Sequence, residues 1–190
     1  MTLLFLGIAM WIIFHFLKRL APGVRRGMDT SMGQGPAKGA IALLLVVSIV
    51  FMVLGFKQYD APQLYDPMPG MGHLNNLLMI AAIALLGMGS SKGTLRSKLR
   101  HPMLWGVIVW SVAHLLVNGD GASVVLFGSM AAWALVQMML INRSQPDWTP
   151  LKPGTAVGDV RLVVIATVLF LIIGFIHKAL GYSPFLGTYS

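Results

Sequence analysis

Cysteine and glutamate are both missing from this chain of 190 residues, so its six acidic residues are all aspartates. Without cysteine the protein has no disulfide, no thiolate metal site and no catalytic thiol. The sequence also lacks a glycine-rich phosphate loop and an acidic pair at a spacing suited to hydrolysis. Hydrolytic and phosphoryl chemistry are therefore not expected. Any metal or haem must be held by other side chains.

Charge is scarce as well, and this places the chain in a membrane. Only 11% of the residues are charged, 56% are hydrophobic, and the mean hydropathy is +0.77. No water-soluble domain of ordinary composition has these values. The net charge of +8 comes from short basic clusters between apolar runs, a pattern that reflects membrane topology and not nucleic-acid binding. We expect the lipid bilayer as a partner, and no nucleic acid.

Six apolar runs are candidates to cross the membrane. A bilayer core about 30 Å thick needs about 20 apolar residues in a helix. The runs cover residues 3–20, 39–56, 73–89, 103–117, 122–141 and 162–179, and the fourth is the shortest. No repeat, low-complexity tract or second domain is evident. The sequence therefore predicts an all-α bundle of six transmembrane helices in a single domain over residues 1–190.

The basic residues fix the expected orientation. Twelve Lys and Arg residues flank one side of the six runs, against Lys57 and Lys178 on the other. By the positive-inside rule, both termini and the Pro-rich segment 59–72 lie on the external side. The short connection "NGDG" at 118–121 predicts a tight reversal with glycines at positive φ. We expect the fourth and fifth helices to be adjacent and antiparallel.

All five histidines, which are His15, His73, His101, His114 and His177, lie within or close to the predicted helices. Ionised groups inside a membrane cost roughly 2–3 kcal/mol or more, so intramembrane polar residues usually have a partner or a function. His101 precedes Pro102 and suits a helix start at the cytoplasmic surface. His73 and His177 are expected to be interfacial residues.

His114 is the strongest candidate for a binding site. Trp110, His114 and Asn118 recur every fourth residue and share one helix face. His15 and His114 lie on opposite sides of the membrane midplane in antiparallel helices, so their side chains lean toward each other. Two neutral imidazoles without a carboxylate do not make a closed zinc site, but they suit the axial positions of haem b. We predict haem b bound by His15 and His114, with Trp110 and Asn118 beside it.

Several segments resemble the NnrU family of bacterial membrane proteins. They are "FHFLKRLAPGVRRGM", "GHLNNLLM", "HPMLWGVIVWSVAHLLVNGD", "LFGSMAAWAL" and "FIHKALGYSPF", which together span nearly the whole chain. The resemblance implies a multi-pass protein of the bacterial inner membrane that serves nitrite and nitric oxide reduction in denitrification. Components of nitrogen-oxide respiration would be its partners.

The plant zeta-carotene isomerase, a haem b enzyme with paired histidine ligands, is similar to this family. That similarity implies ligands at His15 within "IFHF" and at His114 within "VAHLL", and a redox-gated, isomerase-like reaction. The Arg-His-Pro start at residues 100–102 also resembles isoprenylcysteine methyltransferases. Those enzymes use a later glutamate-rich motif for their cofactor, and this chain has no glutamate.

A cofactor-free function is the alternative. The polar residues inside the membrane would then line the path of a transporter or form the surface of an assembly or regulatory factor. Transporters of the common folds tend to have broken helices in paired halves. This sequence offers only weak glycine interruptions, so the haem protein is the favoured interpretation.

Overall fold

The computed structural model describes residues 1–185, and this part of the chain is all-helical. It contains seven α-helices and no β-strand, which confirms the predicted all-α class for these residues. The helices are α1 (Thr2–Leu20), α2 (Pro22–Met32), α3 (Gln34–Lys57), α4 (Met71–Met88), α5 (Pro102–Leu115), α6 (Gly121–Ser144) and α7 (Ala156–Ala179).

Within residues 1–185, five helices are long and apolar enough to cross a membrane: α1, α3, α4, α6 and α7. The chain is therefore a multi-pass membrane protein by the length and composition of its helices. The shortest apolar run forms α5, which has 14 residues and is about 21 Å long. This falls short of a bilayer core of about 30 Å. The sixth crossing and the side on which the termini lie stay predictions.

Helix α2 was not expected from the sequence, and local signals explain its bounds. Pro22 disfavours a helical conformation at Ala21, where α1 ends, and suits the first position of the next helix. Gly33 then separates α2 from α3 with a φ of 87°, a value that side chains with a Cβ rarely adopt. The connection between the first two predicted spans is therefore a helix and not a loop.

The contacts group the chain into two compact units, one from Met1 to Pro62 and one from Gln63 onward. The prediction of a single domain over residues 1–190 stays a prediction. In the first unit α1 packs closely along α3. A Cβ at Gly7 would lie 2.7 Å from the backbone nitrogen of Met52, and a Cβ at Gly55 would overlap the backbone of Leu4. Such small residues allow membrane helices to approach closely.

In the second unit α5 packs between α4 and α6, and α7 packs on α4. The prediction that the helices before and after residues 118–121 are neighbours is therefore confirmed. A Cβ at Gly106 would lie 3.0 Å from the carbonyl oxygen of Ala82, so this glycine allows α5 to approach α4 closely. Most of α7 is exposed, and its apolar side chains are suited to contact lipid.

Asp159, in the first turn of α7, binds the loop before α5 to the start of α7 within the second unit. Its carboxylate accepts hydrogen bonds from the backbone nitrogens of Thr94 (2.9 Å) and Leu95 (3.0 Å) and from the Thr94 hydroxyl. Gly93 pairs with Thr155 beside this contact. The loop before α5 is thereby tied to the start of α7. No spacing or motif in the sequence indicates this role of Asp159.

Candidate functional site

The same five-residue pattern, Trp-x-x-x-His, occurs in α1 as "WIIFH" and in α5 as "WSVAH". In both helices the imidazole Nδ1 lies 2.9 Å from the backbone carbonyl oxygen of the tryptophan four residues earlier. A carbonyl oxygen only accepts, so Nδ1 carries the proton and donates it. In the neutral form of each ring this bond leaves the lone pair on Nε2, which is the arrangement that second-shell hydrogen bonds give to metal-bound histidines.

Aromatic rings hold the imidazole of His114 in place. Its ring stacks on that of Phe127 from α6, with centroids 4.5 Å apart and planes inclined by 26°. The Trp110 ring lies 5.0 Å from the His114 ring and meets Phe127 edge-on at 4.9 Å. Phe127 is only 6% exposed. His114 is half-buried in this cluster, so its orientation is fixed by packing as well as by the hydrogen bond.

The ring of His15 also lies beside an aromatic ring, in this case one from its own helix in the first unit. The centroid of its ring lies 4.2 Å from that of Trp11, with the planes inclined by 40°. His15 is also half-buried. Because His15 belongs to the first unit and His114 to the second, their joint binding of one cofactor stays a prediction.

Asn118 lies just beyond the end of α5 and contacts the predicted site residues. Its side-chain amide donates to the carbonyl oxygen of His114 at 2.8 Å. The face of Trp110, His114 and Asn118 is therefore continuous, since each residue bonds to the one before it. Asn118 thus supports the backbone at the end of α5. The rings of Trp110 and His114 contact each other directly.

The turn at residues 118–121 differs from the prediction. Among residues 1–185, only Gly33, Gly70 and Gly181 have a positive φ, so neither Gly119 nor Gly121 is needed for its backbone conformation. Gly119 is needed for space, because a Cβ there would overlap the carbonyl oxygen of Tyr65. Asp120 is the N-cap of α6 and accepts from the backbone nitrogen of Ser123 at 2.9 Å. The aspartate capping bond, and not glycine flexibility, shapes this corner.

A segment of the loop before α4 closes over the same corner. Gln63 pairs with Asp120, and the backbone nitrogen of Leu64 donates to the carbonyl oxygen of Gly119 at 2.8 Å. The Tyr65 hydroxyl donates to the carbonyl oxygen of Leu115 and lies 2.9 Å from that of Asn118. Burial and the charge of Asp120 raise the pKa of this hydroxyl. It therefore stays protonated, and able to donate, at neutral pH.

The other three histidines take no part in the ring contacts of this cluster, although His177 lies near enough to His114 to interact with it electrostatically. His73 is exposed at the start of α4. His101 is the N-cap residue of α5, next to Pro102 at the first helical position, as expected. His177 is exposed near the end of α7, and its Nδ1 donates to the carbonyl oxygen of Ile173 at 2.8 Å. A hydrogen bond from Nδ1 to a backbone carbonyl therefore does not by itself identify a ligand. His15 and His114 differ from His177 because a tryptophan ring one turn earlier contacts each imidazole.

Residues 1–185 contain no group of three or more His, Cys, Asp or Glu side chains able to hold a metal ion. A metal site built wholly from such clustered ligands is therefore not found in this part of the chain. Haem b makes a smaller demand, because its porphyrin supplies four nitrogens and the protein adds one or two axial ligands. The two oriented, neutral imidazoles fit that requirement as individual ligands.

Trp110, His114 and Asn118 were predicted from their spacing in the sequence, whereas Trp11, Phe127 and Tyr65 were not. A signal for Trp11 was present, because its spacing from His15 repeats that of Trp110 from His114. Phe127 and Tyr65 lie on other elements and carry no such signal. Their contacts with α5 depend on how the chain packs.

A sequence model of the family described as NnrU protein matches residues 3–184. No curated protein matches the chain, and no solved structure matches it either.

Proposed function

The chain belongs to the NnrU family, and we propose that it binds haem b in the bacterial inner membrane and serves nitrite and nitric oxide respiration. One observation carries the haem proposal: His15 and His114 each donate Nδ1–H to the carbonyl of a tryptophan one turn earlier. In the neutral form of both rings the lone pair then lies on Nε2, which is the atom that binds iron. Family membership supports the link to nitrogen-oxide respiration and its components.

His15 and His114 would hold the haem. When bound, it would supply one-electron chemistry and the binding of a small ligand. Phe127 and Trp110 pack against the His114 ring and hold its orientation. Tyr65 and Asn118 bond to the backbone at the end of α5 and keep this helix end from fraying. The protein then acts as an electron carrier or as a redox-gated, isomerase-like enzyme.

The cofactor content of the purified protein tests this function. Protein made in haem-replete cells is expected to purify with haem b and to show a Soret band that shifts when dithionite is added. Alkaline pyridine converts bound haem into a form whose absorbance gives the amount per chain. A colourless preparation without haem contradicts the proposal.

The same proposal includes six membrane crossings. Helix α5 is the crossing added to the five long helices, and both termini lie on the external side. The absence of cysteine makes the test direct, since one introduced thiol is the only labelling site. We expect an impermeant maleimide to label Gln58→Cys in intact cells, and to label Lys98→Cys and Ser144→Cys only after the cells are opened. If α5 does not cross, Lys98→Cys and Ser144→Cys lie on opposite sides, and one of them is labelled in intact cells.

A further inference from the structure

An open groove of about 490 Å³ lies between the start of α5 and the end of α6. Its walls are almost entirely apolar and include Trp105, Leu135 and Met139, which are 40%, 45% and 61% exposed. One end is formed by Arg100 and His101. The volume falls within the usual range for small-molecule sites, about 300–1,000 Å³. The groove thus combines an apolar trough with a cationic end.

The cationic end has an uncompensated charge. The Arg100 guanidinium donates to the backbone carbonyl oxygens of Gln145 and Pro146, which hold it in place without neutralising it. Within the described part of the chain, no carboxylate forms an ion pair with Arg100. His101 Nε2–H donates to Asn142 Oδ1 at 2.8 Å, which orients the ring beside the arginine. The groove end is therefore a fixed cationic surface that is suited to an anion.

We propose that this groove binds an anionic phospholipid, with its phosphate at Arg100 and His101 and an acyl chain along Trp105, Leu135 and Met139. The position of the groove supports this occupant. Its cationic end comes directly after the basic segment that contains Lys98, and its walls are part of the apolar surface of α5 and α6. Basic pockets between membrane helices are typical sites for anionic headgroups. The site uses neither His15 nor His114, so it is independent of the haem proposal.

Quenching of tryptophan fluorescence by brominated lipid measures occupancy of the groove. The full chain is placed in phosphatidylcholine nanodiscs that contain a fixed fraction of either brominated phosphatidylglycerol or brominated phosphatidylcholine. The contribution of Trp105 is the difference between the unmodified protein and Trp105→Phe. A basic residue near a membrane surface enriches anionic lipid by about fivefold. We therefore expect the brominated anionic lipid to quench Trp105 more strongly by about this factor.

Two variants separate the groove from the general charge of this membrane face. Arg100→Gln is expected to lower the preference for the anionic lipid by about fivefold. Arg143→Gln removes the same charge from an exposed position near the end of α6 that does not line the groove, and should leave the preference unchanged. Equal losses in the two variants would show diffuse attraction and overturn the proposal.

A third variant tests the trough while keeping the cationic end intact. Leu135→Phe fills part of the groove, so it should reduce quenching of Trp105 even if Arg100→Gln fails to fold. Equal quenching by the two brominated lipids overturns the proposal. So does protection of Trp105 by added inorganic phosphate to the same extent as by unbrominated phosphatidylglycerol, because the groove would then hold free phosphate.

Discussion

Replacing His114 with alanine is expected to lower the haem content of the purified protein by at least about tenfold. The imidazole is oriented by its bond to the Trp110 carbonyl and by stacking on Phe127, and alanine offers no ligating atom in its place. The rings of Trp110 and Phe127 cannot replace the ligand, because a phenyl ring has no ligating atom and the indole nitrogen only donates. His15→Ala should have an effect of the same kind, measured as haem per chain after purification.

His73→Ala is the control for this experiment. His73 is exposed at the start of α4, and it takes no part in the ring contacts around His114. Its removal also changes the histidine count by one. Full haem content in His114→Ala, or an equal loss in His73→Ala, is incompatible with His114 as an axial ligand.

Gly55→Ala is expected to destabilise the packing of α1 on α3 by about 1–3 kcal/mol. A methyl group at this position overlaps the backbone nitrogen of Leu4, and backbone atoms cannot move aside as a flexible side chain can. Leu4 is completely buried, so the two helices have to separate to make room. The lost packing should appear as unfolding at a lower fraction of sodium dodecyl sulfate, followed by circular dichroism.

Gly39→Ala is the control in the same helix. A Cβ at Gly39 has nothing within 4 Å, so the added methyl group meets open space. The change from glycine to alanine then only improves helix propensity, by up to about 1 kcal/mol. Similar unfolding curves for the two variants would show that the close contact between Gly55 and Leu4 does not matter for stability.

The helices that cross the membrane were predictable because their signal is local. A segment that lies in lipid needs about 20 apolar residues and must satisfy its backbone hydrogen bonds internally. The predicted bounds 3–20 and 73–89 accordingly lie close to those of α1 and α4. Helix α2 was missed because it is short and polar, so hydropathy does not reveal it. Its limits depend instead on Pro22 and Gly33.

The candidate site was predictable only where its residues share one helix. Trp110 and His114 are one turn apart, and their contact follows from helix geometry. The contacts of Phe127 and Tyr65 with the end of α5 join separate elements, and no spacing in the sequence encodes them. Gly119 was predicted to be needed for the backbone conformation of the turn. It is needed instead because a side chain at this position would overlap Tyr65.

Electron paramagnetic resonance of the oxidised protein tests most directly whether two imidazoles bind one haem. A low-spin ferric signal typical of two nitrogen ligands is expected, and it should be lost in both His15→Ala and His114→Ala. A high-spin signal in the unmodified protein, or a low-spin signal that survives either substitution, would show that the two imidazoles do not bind one haem.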